Sequence, residues 1–131
     1  MPGLRGKTIE LQPLITLRGE TATFREIIQD IEDVLDTQGA SCAIVRLEVR
    51  YCTDCTVYVE GAESEDSEFS TVVSQGEFTS VTPEVELMRL NRQVPAGKAG
   101  RLPNLLRWRV AADDGVTEWA TTFRVTVTIA G

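Results

Sequence analysis

The sequence predicts an all-β fold, a jelly-roll-like antiparallel β-sandwich of seven or eight strands with one short helix over 24–37. Three observations carry this. In the C-terminal third, Leu106, Trp108 and Val110 alternate with Arg107 and Arg109, and Phe123, Val125, Val127 and Ile129 alternate with Arg124, Thr126 and Thr128, which is the period-2 signature of half-buried strands. Short apolar runs rich in β-branched residues recur along the rest of the chain between turn signals, without the strand–helix alternation of a parallel α/β fold. The length of 131 residues suits one domain, which at this size buries roughly two-thirds of its unfolded surface. Residues 1–7 are assigned to an N-terminal arm and 8–131 to the sandwich.

The elements follow in order. Ile9, Leu11, Pro13, Ile15 and Leu17 alternate with polar residues, giving a first strand over about 8–17 in which Pro13 marks an edge or a bulge. Phe24, Ile27, Ile28, Ile31, Val34 and Leu35 then recur at helical spacing, Thr23 and Glu26 form a capping box, and Gly39 would stop the helix. The β-branched content leaves an extended approach to the sheet as the alternative. Val45, Leu47, Val49 and Tyr51 share one face of a central strand, and after a turn at Thr53-Asp54 the run Thr56–Glu60 returns as its hairpin partner. Runs 69–74, 78–81 and 85–90 add three short strands, punctuated by Gly76 and Pro83. The final pair is read as a hairpin closed over Asp113-Asp114-Gly115.

A net charge of −7 opposes a surface built to track phosphates, so nucleic acid is not an expected partner. No apolar stretch approaches the roughly 20 residues that span a bilayer. Residues 1–7 lack the apolar core of a signal peptide, so synthesis in the cytosol is expected. Eleven of the thirteen cations are Arg, several within predicted strands, where a planar fork of donors suits protein interfaces; GC-rich coding is the plainer account.

Few residues invite chemistry. Cys42, Cys52 and Cys55 are an odd number, and Cys52-Thr53-Asp54-Cys55 has C-x-x-C spacing without the further ligands that zinc needs or the helix N-terminus that thioredoxin-like chemistry uses. Two small residues flanking a turn is the simpler reading, with a strained cross-turn disulfide as the alternative in an oxidising setting. The acidic run from Glu60 to Glu68 lacks EF-hand spacing and reads as a solvated loop. Asp113, Asp114 and Glu118 suggest paired carboxylates for glycoside hydrolysis, but Asp-Asp-Gly is ordinary turn chemistry. The chain has no His, and neither a nucleophile elbow nor a phosphate loop. No catalytic residue, metal or cofactor is assigned, and the protein is expected not to be an enzyme.

The segments Val45–Arg50, Val57–Ala62, Leu106–Val110 and Phe123–Val127, in that order, resemble small β-sandwich proteins of phage and prophage-like structural genes, which decorate capsids or form head spikes and fibre bases. The resemblance spans most of residues 30–129 and rests on strand patterns. It implies a virion accessory protein bound, in several copies or as a homo-oligomer, to the outer surface of a shell made by a major capsid protein. Candidate contacts are Arg5 and Lys7 in the arm, Arg92, Lys98 and Arg101, expected to be exposed, in the irregular basic segment Asn91–Asn104, Arg107 and Arg109 on a strand face, and Trp119. Arg46, Arg50 and Arg124 belong to the same Arg-rich strand faces. Replacing Arg92, Lys98 and Arg101 together by Ser is expected to spare folding while weakening association. Trp119 near a loop reads first as a core or rim-packing ring, since the chain has few aromatics to build a core, but it also suits a sugar-stacking platform, so a jelly-roll carbohydrate-binding module is the rival function, and a structural subunit of a non-viral assembly a third.

Overall fold

A computed structural model of the chain describes residues 6–79 and 82–131. Most of the arm, Arg5 included, and part of the run 78–81 lie outside the described residues. Among the described residues nine strands form: β1 (Lys7–Glu20), β2 (Glu26–Ile28), β3 (Leu35–Asp36), β4 (Cys42–Thr53), β5 (Cys55–Ala62), β6 (Ser70–Gln75), β7 (Glu84–Asn91), β8 (Leu105–Ala112) and β9 (Glu118–Ala130). They make two antiparallel sheets, one ordered β1-β9-β4-β7 and the other β2-β8-β5-β6, with β3 also on β8. Ile27 pairs with Val110 and Leu35 with Leu106, so β2 and β3 occupy successive stretches of one edge. They are one strand, broken by a 3-10 turn at Ile31–Asp33. With β2 and β3 taken as one, eight strands lie in two facing sheets of four, and the chain changes sheet at every link except β5 to β6, which pair as a hairpin; this is a jelly-roll sandwich.

The interior is made by the alternation the sequence displays. Val45, Leu47 and Val49 of β4 and Phe123, Val125 and Val127 of β9 face Val57 and Val59 of β5 and Leu106, Trp108 and Val110 of β8, all buried. The Trp108 and Phe123 rings meet edge to face, centroids 5.3 Å apart, and the Trp108 indole N–H donates to Gln12 Oε1. Pro13 lies on the edge strand β1, where the pairing with β9 shifts register between Gln12 and Ile15, as its missing donor requires.

The expected helix over 24–37 does not form. Its apolar residues do not share one buried face: Phe24, Ile28 and Ile31 are exposed, whereas Ile27 and Leu35 pack on the core. The capping box is replaced by a turn in which Thr23 N–H and Phe24 N–H both donate to the Glu20 carbonyl. Gln29 fixes the strand alternative, because its buried amide accepts from Trp108 N–H and donates to the carbonyls of Leu11 and Asp33. A helix would leave the β8 edge unpaired.

Both expected hairpins are also corrected. β4 and β5, joined by Thr53-Asp54, lie in different sheets, as do β8 and β9 across Asp113–Gly115. The turn residues are as expected, with Asp54 at φ 60 and Gly115 at φ 78, but each link crosses the sandwich instead of folding a strand back beside its neighbour. Alternation reports which side chains point inward; it is blind to which sheet carries them. Of 78–81, Phe78 makes an isolated bridge to Cys52. No helix among the described residues is long and apolar enough to cross a membrane.

Candidate functional site

The arginines singled out from sequence are largely occupied within the fold. On the outer face of the second sheet, Glu60 is 4% exposed and accepts from Arg107 Nε at 3.1 Å and Arg109 Nε at 2.9 Å. Arg109 also reaches Glu26 at 2.9 Å. Both guanidinium groups stack on aromatic rings, Arg107 over Phe69 at 3.7 Å and Arg109 over Tyr58 at 4.2 Å. Burial works against the Arg109 charge, but the carboxylates of Glu60 and Glu26 outweigh it and hold the group above its ordinary value.

The irregular segment Asn91–Asn104 is not a free basic loop. The Arg92 guanidinium donates to the carbonyls of Thr37, Ala40 and Leu102, to Thr37 Oγ1 and to Asn104 Oδ1 at 2.6 Å. This ties the segment to the corner between β3 and β4. Burial, with Arg101 nearby, lowers the Arg92 pKa. Arg101 binds Glu63 at 2.8 Å and donates to the Arg92 carbonyl, and the Glu63 hydrogen bond raises its pKa. Arg92 and Arg101 are therefore half-buried, contrary to the exposure expected, while Lys98 is exposed between Gly97 and Gly100, both at positive φ. Lys7 is exposed at the start of β1.

Trp119 is 3% exposed, its indole N–H donates to the Phe24 carbonyl, and its ring lies against Gly19, where a Cβ would stand 2.5 Å away. A covered ring offers no face to a sugar. The exposed aromatics missed by the sequence argument are Phe24 (55%) and Tyr51, which flank a broad groove of about 920 Å³ together with Arg18, Glu20, Asp54 and Glu118. Tyr51 stands next to the register shift of β4 against β9, so simple alternation places it with the core.

On the outer face of the first sheet, Glu48 is buried beneath Arg46 and Arg50, both at 2.9 Å. The Arg50 hydrogen bond, opposed by burial and helped by Arg46, lowers the Glu48 pKa. Beside this network the edge strand β7 presents Val85 and Leu87, the latter 62% exposed, opposite Glu48 and Arg46. Leu14, Ile28 and Ile31 are further exposed apolar side chains, carried by β1 and the broken β2–β3 strand.

Two clusters remain. Asp54, Glu77 and Asp113 bring one oxygen each within 4.8 Å of one another and could hold a cation through three carboxylates, half or less of a calcium shell. The turn uses two of them, since Glu77 accepts from Asp54 N–H and Asp113 from Thr56 Oγ1. Glu118 does not join that cluster, and Asp114 makes a long surface pair with Arg25 at 3.9 Å. Of the acidic run from Glu60, the described structure places Glu60 and Glu63 in ion pairs and leaves Glu65, Asp66 and Glu68 exposed. Cys52 and Cys55 are buried with sulfurs 3.2 Å apart, and Cys42 is half-buried at the far end of β4.

No family model matches the chain, and no curated protein does. Solved structures do match. The infectious bursal disease virus VP2 subviral particle aligns at 16% identity over 98% of this chain and 33% of that chain, with a TM-score of 0.49. The structure of the Gt strain of that virus aligns with the same identity and coverage and a TM-score of 0.51. The chain thus spans about a third of the length of the viral chains it matches. At this identity the likeness is one of fold: the two facing sheets follow the architecture of a viral particle chain.

Proposed function

We propose that the chain is a non-enzymatic structural protein of a virus particle, seated on the outer surface of an assembled phage-like shell as a decoration, cement or spike module. The observation that carries this reading is the complete two-sheet jelly roll, whose match to a viral particle chain covers 98% of the residues. The surface is compatible with it. Apolar side chains stand out on the edge strand β7, at Val85 and Leu87, beside charges already neutralised in place on β4. A contact made there desolvates few unpaired charges, which is what favours the centre of a protein interface. Lys7 and Lys98 are proposed as rim contacts, with the shell protein as partner and the particle as location.

The test is quantitative mass spectrometry of gradient-purified particles, comparing the copy number of this chain with that of the major shell protein. A fixed ratio that survives a salt wash is expected. Absence from every particle fraction would reject the proposal. Within it, Leu87→Ser is expected to reduce particle occupancy while the melting temperature stays within a few degrees of wild type.

The groove with exposed Phe24 and Tyr51 favours one second reading, a glycan-binding module. It predicts affinity on a glycan array that Tyr51→Ala abolishes; the particle reading predicts none.

A further inference from the structure

Cys52 ends β4 in one sheet and Cys55 opens β5 in the other, with only Thr53 and Asp54 between them. Both side chains are fully buried, and their sulfurs are 3.2 Å apart. The Cys52 thiol also lies 3.1 Å from the Cys55 carbonyl, and the Cys55 thiol 3.5 Å from the Ala120 carbonyl. Asp54 holds the left-handed conformation, φ 60, which Asp adopts in tight turns more readily than most side chains, and the turn brings the two thiols face to face.

We infer that Cys52 and Cys55 are a modification site, a thiol pair that a small neutral peroxide converts into an intramolecular disulfide fastening one sheet to the other at the β4–β5 corner. Packing alone would be served by two small apolar residues; two sulfurs in contact across a two-residue turn need to approach by only about 1.2 Å to reach bonding distance. The Cys55 hydrogen bond lowers the Cys52 pKa, while the same contact and burial push Cys55 up. The shared contact thus favours Cys52 as the sulfur that gives up its proton first once the turn opens.

In the first step the Cys52 thiol releases its proton and its sulfur attacks one peroxide oxygen, the sulfur–oxygen bond forms, the O–O bond breaks, and the departing hydroxide combines with the released proton as water, leaving a sulfenic acid on Cys52. In the second, Cys55 sulfur attacks Cys52 sulfur, the S–S bond forms, the S–O bond breaks, and the hydroxide takes the Cys55 proton to leave as a second water. Two thiols are oxidised by two electrons and one hydrogen peroxide is reduced to two waters. Because both sulfurs are covered, the oxidant must be small and the turn must open locally.

The experiment exposes the full-length protein to hydrogen peroxide, removes the excess with catalase, denatures, alkylates and digests with trypsin. Cys52 and Cys55 fall on one peptide, Tyr51–Arg89, and Cys42 on another, where it reports the behaviour of an isolated thiol under the same dose. The expected result is that the peptide carries two alkyl groups before oxidation, none afterwards with a mass two hydrogens below the free dithiol, and two again after dithiothreitol. Two alkyl groups after peroxide, or added oxygen atoms without the loss of two hydrogens, would overturn the site. The oxidised protein is also expected to melt several degrees above the reduced protein, and a melting temperature at or below it would overturn the fastening. Repeating both readouts with Cys42→Ser removes exchange between molecules, and loss of the result in that variant would assign the oxidation to Cys42 and overturn the pair.

Discussion

Glu60 carries an unusual share of the fold's electrostatics for one side chain. Its carboxylate is buried and holds two guanidinium groups, each also stacked on an aromatic ring. Glu60→Ala leaves two half-buried cations short of a partner, and chemical denaturation should show a loss of about 3 kcal/mol. Glu48 is the corresponding group on the other sheet, and its effect is one of pH. Its folded pKa is depressed, so its contribution is present above the unfolded value near 4.5 and is lost as pH falls through the folded value. Arg46 and Arg50 are substantially exposed, so the contribution is screened. Melts from pH 6 downward should show Glu48→Gln as less sensitive than wild type below about 4.5. Trp108→Ala removes a buried ring and should cost about 3 to 5 kcal/mol; a variant melting like wild type would contradict the packing against Phe123. Gly61 marks a close approach, because a Cβ there would stand 2.2 Å from Pro103 Cγ. Gly61→Ala should destabilise by about 1 to 3 kcal/mol in the same assay.

Among the elements, the segment Asn91–Asn104 changes most between sequence and structure. Its composition suggests a free basic loop, but five hydrogen bonds from one guanidinium make Arg92 a strut between two corners. Replacing Arg92, Lys98 and Arg101 together therefore confounds folding with binding. Arg92→Ser should lower the melting temperature by several degrees, whereas Lys98→Ser should leave it unchanged, and only the latter is a clean probe of association. The long alternating strands were legible because a two-residue period survives any topology: Val45–Val49, Leu106–Val110 and Phe123–Val127 all bury the face they advertise. The segment 24–37 departs from its helical spacing because only Ile27, Ile28 and Leu35 of its six apolar residues fall in the two short edge strands, and Gln29 bonds a neighbouring strand that local periodicity does not see. The two hairpins failed for a related reason, since a tight turn looks the same whether it folds back or crosses the sandwich. The candidate contacts were the least legible part. A guanidinium paired inside the fold and one free for a partner are the same letter, and exposed apolar residues such as Leu87 are disclosed only when the edge strand is placed.

At the scale of the molecule, the pairings are non-local. β9 lies between β1 and β4, so the first sheet closes only when the last strand arrives. Such a topology folds slowly, on the millisecond-to-second scale of β-sandwiches. Removing residues 118–131 would take away the centre of that sheet, together with Phe123, Val125 and Val127. The truncated chain should show no cooperative thermal transition by circular dichroism, and a retained one would show that the second sheet folds alone.

Lys7 stands directly opposite Ile129 on neighbouring strands. Paired residues of antiparallel strands have Cα atoms about 5 Å apart. A polypeptide that enters and leaves through adjacent points can be spliced into a surface loop of a host chain without stretching it, and a few-residue linker between the two points would permit new termini to be opened elsewhere, at the Lys98 tip for instance.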